Sequence, residues 1–310
     1  EFLKHVDMAD KTRNFVLLDQ TKSSVYVAQS GLIGGTAGVS FPTHKTPMTV
    51  IGAKDLKDGE NELVISFTSA EVGGAKLVKS YTLKRGAYDL RVTHAVTNNG
   101  ATPISPQLYL QLVRDGNKPP GESSFYFTFT GPAVYTEAKK YQKVEFSDIK
   151  KKKADYEASA SNGYVAMVQH YFASAWMLAD GIKRDISLDA VDIGSPVADC
   201  CYRATMIAPL DAIAPGATKT VEAKFFAGPQ EEKVLEALTP GLELVKDYGW
   251  LTILAKPLYW LLDYLHSLIQ NWGWSIVGLV ILLKMAFYWL NAKAYASMAK
   301  MKAINPKVME

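Results

Sequence analysis

Residues 88–97 read YDLRVTHAVT, and this stretch decides the fold class. Apolar side chains and His94 occupy every second position, while mostly charged residues and threonines occupy the positions between them. Because successive side chains of a β-strand point to opposite faces of a sheet, this period of two predicts a strand buried on one face. His94 shares the apolar face, so we expect it to be a hydrogen-bonded core residue rather than an acid or a base.

The same alternation recurs along the first part of the chain. Residues 63–67, 108–112 and 125–129 carry leucine, isoleucine or phenylalanine at every second position. Short turn sequences such as KDG at 57–59 and NNG at 98–100 separate such stretches. Many strands joined by polar turns, with no helix between them, predict a mainly β fold in the form of a large antiparallel sandwich.

Composition excludes several classes of protein. The chain has 310 residues, of which 48% are hydrophobic and 21% charged, and this balance excludes a disordered chain. A net charge of +3 is too small for a dedicated nucleic-acid binder. The mean hydropathy of −0.02 excludes a polytopic membrane protein but allows one membrane segment.

The sequence contains no signature of catalysis or of metal binding. Its five histidines are scattered, and none has metal-ligand spacing to a cysteine or a carboxylate. The two cysteines, Cys200 and Cys201, are adjacent, and we expect them to be unbonded because a trans peptide link strains such a disulfide. We therefore expect a protein that is not an enzyme and that holds no cofactor and no metal.

The pattern changes after the strands. A short helix is predicted over residues 231–238, and a second, amphipathic helix over 256–272 has Pro257 in its first turn. Four leucines on one face of the second helix follow helical spacing, namely Leu258, Leu261, Leu262 and Leu265. Helical spacing alone leaves two interpretations open: a helix packed on the β-domain, or a helix lying in a membrane interface.

Residues 273–291 favour the membrane. Residues 273–290 contain one charge, Lys284, and as a helix they would extend about 27 Å, which is at the short end for a bilayer crossing. Aromatic residues suited to the membrane interface flank this segment, namely Trp272, Trp274, Tyr288 and Trp289. We therefore predict a transmembrane helix over 273–291.

Charge on either side of this segment predicts its orientation. Lys293 and three further lysines follow the segment, and no acid appears before Glu310. By the positive-inside rule, residues 292–310 are cytoplasmic and residues 1–255 lie on the opposite side of the membrane. The position of Lys284 alone is compatible with an ammonium that reaches the headgroups and with a cation that faces a polar cavity.

Several stretches carry a resemblance to one family. They are QSGL at 29–32, YTLKRGAY at 81–88, GYVAMVQHYFASAW at 163–176, FAGP at 226–229, DYGW at 247–250, NWGWSI at 271–276, SMAKM at 297–301 and NPK at 305–307. With the order of domains, they make the chain resemble the YidC-type membrane protein insertases of Gram-negative bacteria. The resemblance covers essentially the whole chain, and its C-terminal third is the more specific part.

The resemblance implies an architecture. Its parts are a periplasmic β-supersandwich similar to galactose-mutarotase folds (1–230), a short helix and linker (231–255), an amphipathic interfacial helix (256–272), a transmembrane helix (273–291) and the start of a cytoplasmic helical hairpin (292–310). Residues 1–255 would be periplasmic and the protein would lie in the bacterial inner membrane. Both ends would be cuts through a longer protein with further transmembrane helices.

The resemblance also implies a function. A hydrophilic cationic groove would receive nascent membrane proteins, alone or beside the Sec translocon, while their apolar segments pass into the lipid bilayer. Lys284 lies where the family usually carries a groove arginine, and lysine keeps the charge but lacks the planar fork of donors. The implied partners further include the ribosome, through regions beyond this chain, and no nucleic acid.

A second hypothesis comes from the implied fold. A membrane-anchored carbohydrate-binding or mutarotase-like protein would need a cleft in which a histidine and a carboxylate are placed for proton transfer. His94 and His170 are the candidates for the histidine.

Overall fold

The computed structural model describes residues 2–7, 10–34, 38–119, 128–246, 252–288, 292–293, 295–296 and 298. The chain divides into two compact units, residues 1–246 and residues 247–310. The first unit is built from strands and the second from helices, and each is described by itself.

The first unit contains most of the regular structure. Its strands are β1 (Phe2–Val6), β2 (Asn14–Val16), β3 (Asp19–Gln20), β4 (Val25–Gly34), β5 (Met48–Gly52), β6 (Glu62–Ser69), β7 (Ala75–Lys84), β8 (Asp89–Asn98), β9 (Pro106–Arg114), β10 (Gly131–Thr136), β11 (Lys140–Lys143), β12 (Ser159–Ala160), β13 (Tyr164–Gln169), β14 (Phe172–Leu178), β15 (Arg184–Ala190), β16 (Tyr202–Pro209) and β17 (Thr218–Pro229). Its helices are α1 (Phe146–Lys150), α2 (Glu232–Leu238) and a 3₁₀ turn (Leu242–Val245).

Two large antiparallel sheets form a sandwich. The larger has nine strands in the order β11-β10-β13-β14-β17-β8-β7-β6-β5, and the smaller has six in the order β12-β15-β16-β9-β4-β3. β1 and β2 form a separate pair. The predicted mainly β antiparallel sandwich is therefore confirmed for the described part of the first unit.

The main core lies between the two sheets. Val92, His94 and Val96 on β8 are fully buried, as the alternation in residues 88–97 predicted. Trp176 on β14 crosses the core, and its indole nitrogen donates to the Gln111 carbonyl oxygen on β9 at 3.2 Å. Buried apolar contact and a few such hydrogen bonds therefore hold the sheets together.

A second apolar cluster covers the outer face of the nine-stranded sheet. Leu235 of α2 and Leu242 of the 3₁₀ turn are fully buried against residues of β10, β13 and β17. Tyr164 donates its hydroxyl proton to the Gly241 carbonyl oxygen at 2.8 Å, and a Cβ at Gly241 would lie 2.4 Å from the Tyr135 ring. The left-handed φ of +84° at Gly241 also favours glycine. The helix predicted over 231–238 is confirmed as α2.

Three predictions from the sequence differ from the structure or fall partly outside the described residues. A short helix, α1, interrupts the strands, although none was expected there. Cys200 and Cys201 are assigned to a vicinal disulfide, so the prediction of unbonded cysteines is wrong. Of the strand predicted over 125–129, residues 125–127 lie outside the described residues, and residues 128–129 are not in a strand.

The second unit contains two consecutive helices, α3 (Thr252–Ile269) and α4 (Trp272–Ala286). α3 begins four residues before the predicted start at 256, so Pro257 lies inside the helix instead of at its first position. Of the predicted transmembrane segment, residues 289–291 lie outside the described residues.

Within the described residues, none of the helices combines the length and the hydropathy that a membrane crossing requires.

Candidate functional site

A tight connection joins α3 to α4. Gln270 has a left-handed φ of 54°, and Asn271 caps α4 by accepting a hydrogen bond from the Trp274 backbone nitrogen at 3.2 Å. The Ser275 hydroxyl donates to the Asn271 carbonyl oxygen at 2.8 Å, and Ser275 is fully buried. An asparagine cap satisfies a backbone donor that the first helical turn leaves free. The polar residues between the helices therefore define where α4 begins.

Side chains pack across this connection. The His266 and Trp272 rings stack with centroids 3.8 Å apart, and a Cβ at Gly278 would lie 3.7 Å from the Leu265 side chain. Leu261, Leu262 and Leu265 are half-buried, whereas Leu258 is exposed. The predicted leucine face is thus divided, because Leu265 packs against α4 while Leu258 remains accessible.

Large apolar side chains cover α4 on all sides. The exposed ones include Trp272, Trp274, Ile276, Val277, Val280, Ile281, Leu282 and Met285, and Tyr288 follows the helix with 73% of its surface exposed. Successive helical residues point 100° apart, so the exposed run Val280, Ile281 and Leu282 spans 200° and cannot lie on one face. Trp289, the remaining predicted interface residue, lies outside the described residues.

Lys284 is the charged residue of α4 and lies in its last turn. The side chain is exposed, and no described residue forms a hydrogen bond or an ion pair with it. A cation near a helix C-terminus is favoured by the helix dipole. The position supplies an accessible positive charge on an otherwise apolar surface.

The sandwich contains a buried polar group that the sequence did not reveal. Lys79 on β7 is 5% exposed, and its ammonium donates to the Ser30 carbonyl oxygen on β4. His94, opposite Lys79 in the β7–β8 register, lies 2.9 Å from the Ser30 hydroxyl through Nε2. Burial lowers the pKa of Lys79 to about 8, and burial with the nearby Lys79 charge lowers the pKa of His94 to about 3.

The two histidines of the carbohydrate hypothesis are not placed for proton transfer. The contact of His94 is Ser30, and the contacts of His170 are the Thr128 hydroxyl at 2.6 Å and the Tyr171 ring. Neither has a carboxylate partner among the described residues. His94 is instead the hydrogen-bonded core residue that the sequence predicted. No group of metal-ligating side chains occurs among the described residues.

Comparison with known families decides which family the chain belongs to. A profile described as the YidC periplasmic domain matches residues 1–261, and one described as the 60Kd inner membrane protein matches residues 264–310. The chain belongs to the YidC family. The resemblance in the sequence is thereby confirmed, and the two family descriptions give the chain a periplasmic domain and part of an inner membrane protein.

Curated members of the YidC family are similar over nearly the whole chain. Membrane protein insertase YidC of Bordetella parapertussis is 48% identical over 308 residues, which are 99% of this chain and 53% of that protein. Membrane protein insertase YidC of Ralstonia nicotianae is 51% identical over 294 residues, 94% of this chain and 51% of that protein. The chain thus spans about half the length of the curated relatives it matches.

Among solved structures, the YidC-family chain is similar to a galactose mutarotase-like protein from Lactobacillus casei, with 11% identity and a TM-score of 0.37. The match covers 65% of this chain and 84% of that chain. It is also similar to a GH36 α-galactosidase from Geobacillus stearothermophilus, with 10% identity, a TM-score of 0.39 and coverage of 74% of this chain and 34% of that chain.

Proposed function

We propose that this YidC-family chain is the periplasmic domain and second transmembrane helix of a membrane protein insertase and chaperone. The identity of 48% over 99% of the chain to a relative named for that activity carries the proposal. The role involves no covalent chemistry, so the chain is not an enzyme and uses no cofactor. Its substrates would be nascent inner-membrane proteins, which it would insert alone or with the Sec translocon.

The arrangement in the inner membrane follows from this role. Residues 1–255 would be periplasmic, with residues 1–230 as a supersandwich of the galactose-mutarotase type, and residues 292–310 would be cytoplasmic. The segment 273–291 would cross the bilayer, with Trp272 and Trp274 at one interface and Tyr288 and Trp289 at the other. The supporting observation is α4, because a helix that is apolar all round belongs inside a large core or in a membrane.

Lys284 would act as a charge in the substrate groove. Moving polar chain into hydrocarbon costs several kcal/mol for each unpaired group, and a cation in a hydrated groove lowers that cost. Its exposure and its lack of a partner among the described residues support this role. Nascent chains, the lipid bilayer and a ribosome bound through other parts of the protein are the expected partners.

Replacing Lys284 by glutamine tests the proposed groove charge. In the complete protein, we expect Lys284→Gln to reduce insertion of a Sec-independent substrate several-fold, because the groove loses its cation. Lys284→Arg keeps the charge and should retain insertion. The measurement is protease protection of the substrate in cells depleted of their own insertase, at matched expression. Undiminished insertion by the glutamine variant would remove Lys284 from the mechanism.

The interfacial helix is tested separately. We expect the double change Leu261→Asp and Leu265→Asp to reduce insertion about tenfold or more, because carboxylates are costly both in the membrane interface and against α4. Ser267→Asp adds one carboxylate at an exposed position of the same helix and should have little effect. The readouts are alkali-resistant membrane association and substrate insertion. Normal values for the double variant would exclude this role for the leucine face.

A further inference from the structure

An apolar groove lies on one face of strands β5 to β8. Its volume is about 390 Å³, and the apolar side chains that line it are Met48, Ile65, Phe67, Leu83 and Leu90. The strand register explains why they meet, since Phe67 lies opposite Lys79 and Ile65 lies opposite Tyr81 on the neighbouring strand. Opposed residues of paired strands project to the same face, so Lys79 and Tyr81 also line the groove.

Lys79 gives this groove a charge without a counter-ion. An ammonium has three N–H donors, and the acceptor in the structure is the Ser30 carbonyl oxygen. No carboxylate among the described residues pairs with Lys79, and its neighbour His94 is neutral at physiological pH. Buried charges are normally paired, so an unpaired ammonium beside an apolar surface indicates a binding site for an anion.

Apolar walls and a buried cation together select one class of ligand. We propose that the groove binds a single-chain fatty acid, with the alkyl chain against Phe67 and its apolar neighbours and the carboxylate on Lys79. The volume is at the lower end of the roughly 300–1,000 Å³ typical of small-molecule sites, which suits one alkyl chain better than a two-chain lipid. This inference does not depend on the proposed insertase function.

Calorimetry with octanoate tests the inference. The full chain is placed in nanodiscs of zwitterionic lipid, and the heat measured with empty nanodiscs is subtracted. We expect octanoate to bind at least tenfold more tightly than 1-octanol, which has the same chain without the charge. Lys79→Met should abolish this preference, whereas Lys76→Met, an exposed position on the same strand, should leave it unchanged.

Two further arms keep the test decisive. Phe67→Glu places an internal carboxylate opposite Lys79. This carboxylate should compete with octanoate for the ammonium and remove octanoate binding. The variant keeps Lys79, so its result does not depend on how well Lys79→Met folds. Octyl phosphate distinguishes a fatty acid from a lipid phosphate. Equal binding of octanoate and octanol to the unchanged chain, tighter binding of octyl phosphate, or full octanoate affinity in Lys79→Met would each overturn the proposal.

Discussion

Replacing Arg184 by methionine should lower the free energy of unfolding of the sandwich by about 4 kcal/mol. Arg184 is fully buried at the start of β15, and its guanidinium donates five hydrogen bonds of 2.5–3.2 Å. The acceptors are the main-chain oxygens of Ser161, Gly163, Leu178, Ala179 and Ile182. Methionine would remove all five donors. Main-chain N–H groups would still reach the Ser161 and Ala179 oxygens, so the loss falls mainly on the other three carbonyls, and each unsatisfied buried polar group costs about 1–3 kcal/mol.

The matched control is Arg85→Met. Arg85 also donates to main-chain oxygens, those of Lys57 and Glu60, but it is exposed, so water can replace the lost donors. We expect a loss below about 1 kcal/mol there. Urea denaturation of the full chain, followed by proteolysis of the unfolded sandwich, measures both variants. Similar stability of Arg184→Met and the unchanged chain would show that these five bonds contribute little.

Replacing Lys79 by methionine should have the opposite effect and raise the free energy of unfolding. The folded chain holds an ammonium in an apolar site, and its pKa is lowered from 10.5 to about 8. That shift corresponds to a cost of about 3 kcal/mol at neutral pH, of which the hydrogen bond to Ser30 recovers part. We expect Lys79→Met to raise the free energy of unfolding by about 2 kcal/mol at pH 7.

The pH dependence identifies the cause of this gain. Between pH 8 and 10.5 the unfolded chain keeps a proton on Lys79 that the folded chain has released, so the unchanged protein gains stability as pH rises. The advantage of the variant is therefore full below pH 8 and shrinks above it. The pKa values of His94 and His44 are lowered, so both rings titrate below this window. The raised pKa of Tyr81 opposes the gain near pH 10, but it does so in both chains and cancels in the difference between them.

Urea denaturation of both chains at pH 7.0, 8.5 and 9.5 measures the difference directly. Lys76→Met is the control, since its exposed side chain should change stability little at any of these pH values. A stability difference that stays constant with pH would show that packing, and not the buried charge, distinguishes the Lys79 variant. A destabilised variant would contradict the prediction outright.

The local sequence pattern was sufficient to predict the long strands of the sandwich. Residues 88–97 alternate so regularly that β8, its buried face and the core position of His94 could all be predicted. The same holds for α2, whose short apolar face and Pro-Gly stop define it locally. The start of α3 could not be predicted, because Pro257 suits a first helical turn but is also tolerated further inside.

The roles of Arg184 and Lys79 could not be predicted, because they depend on contacts between distant segments. The guanidinium of Arg184 is held by two segments, residues 161–163 and residues 178–182. Lys79 reaches a carbonyl 49 residues earlier in the chain, on the opposite sheet. In sequence, Lys79 is one lysine of a strand that also carries the exposed Lys76. Strand period predicts which face a residue occupies but not which polar atom the facing sheet presents to it.

The sequence by itself determined the class of the fold and the family, because hydrophobic period and local motifs are properties of neighbouring residues. The tertiary structure alone decided which charges are buried, which leucine of α3 meets α4 and where a groove forms on the nine-stranded sheet. Those features arise when strands far apart in the chain are placed in register and water is removed from between them.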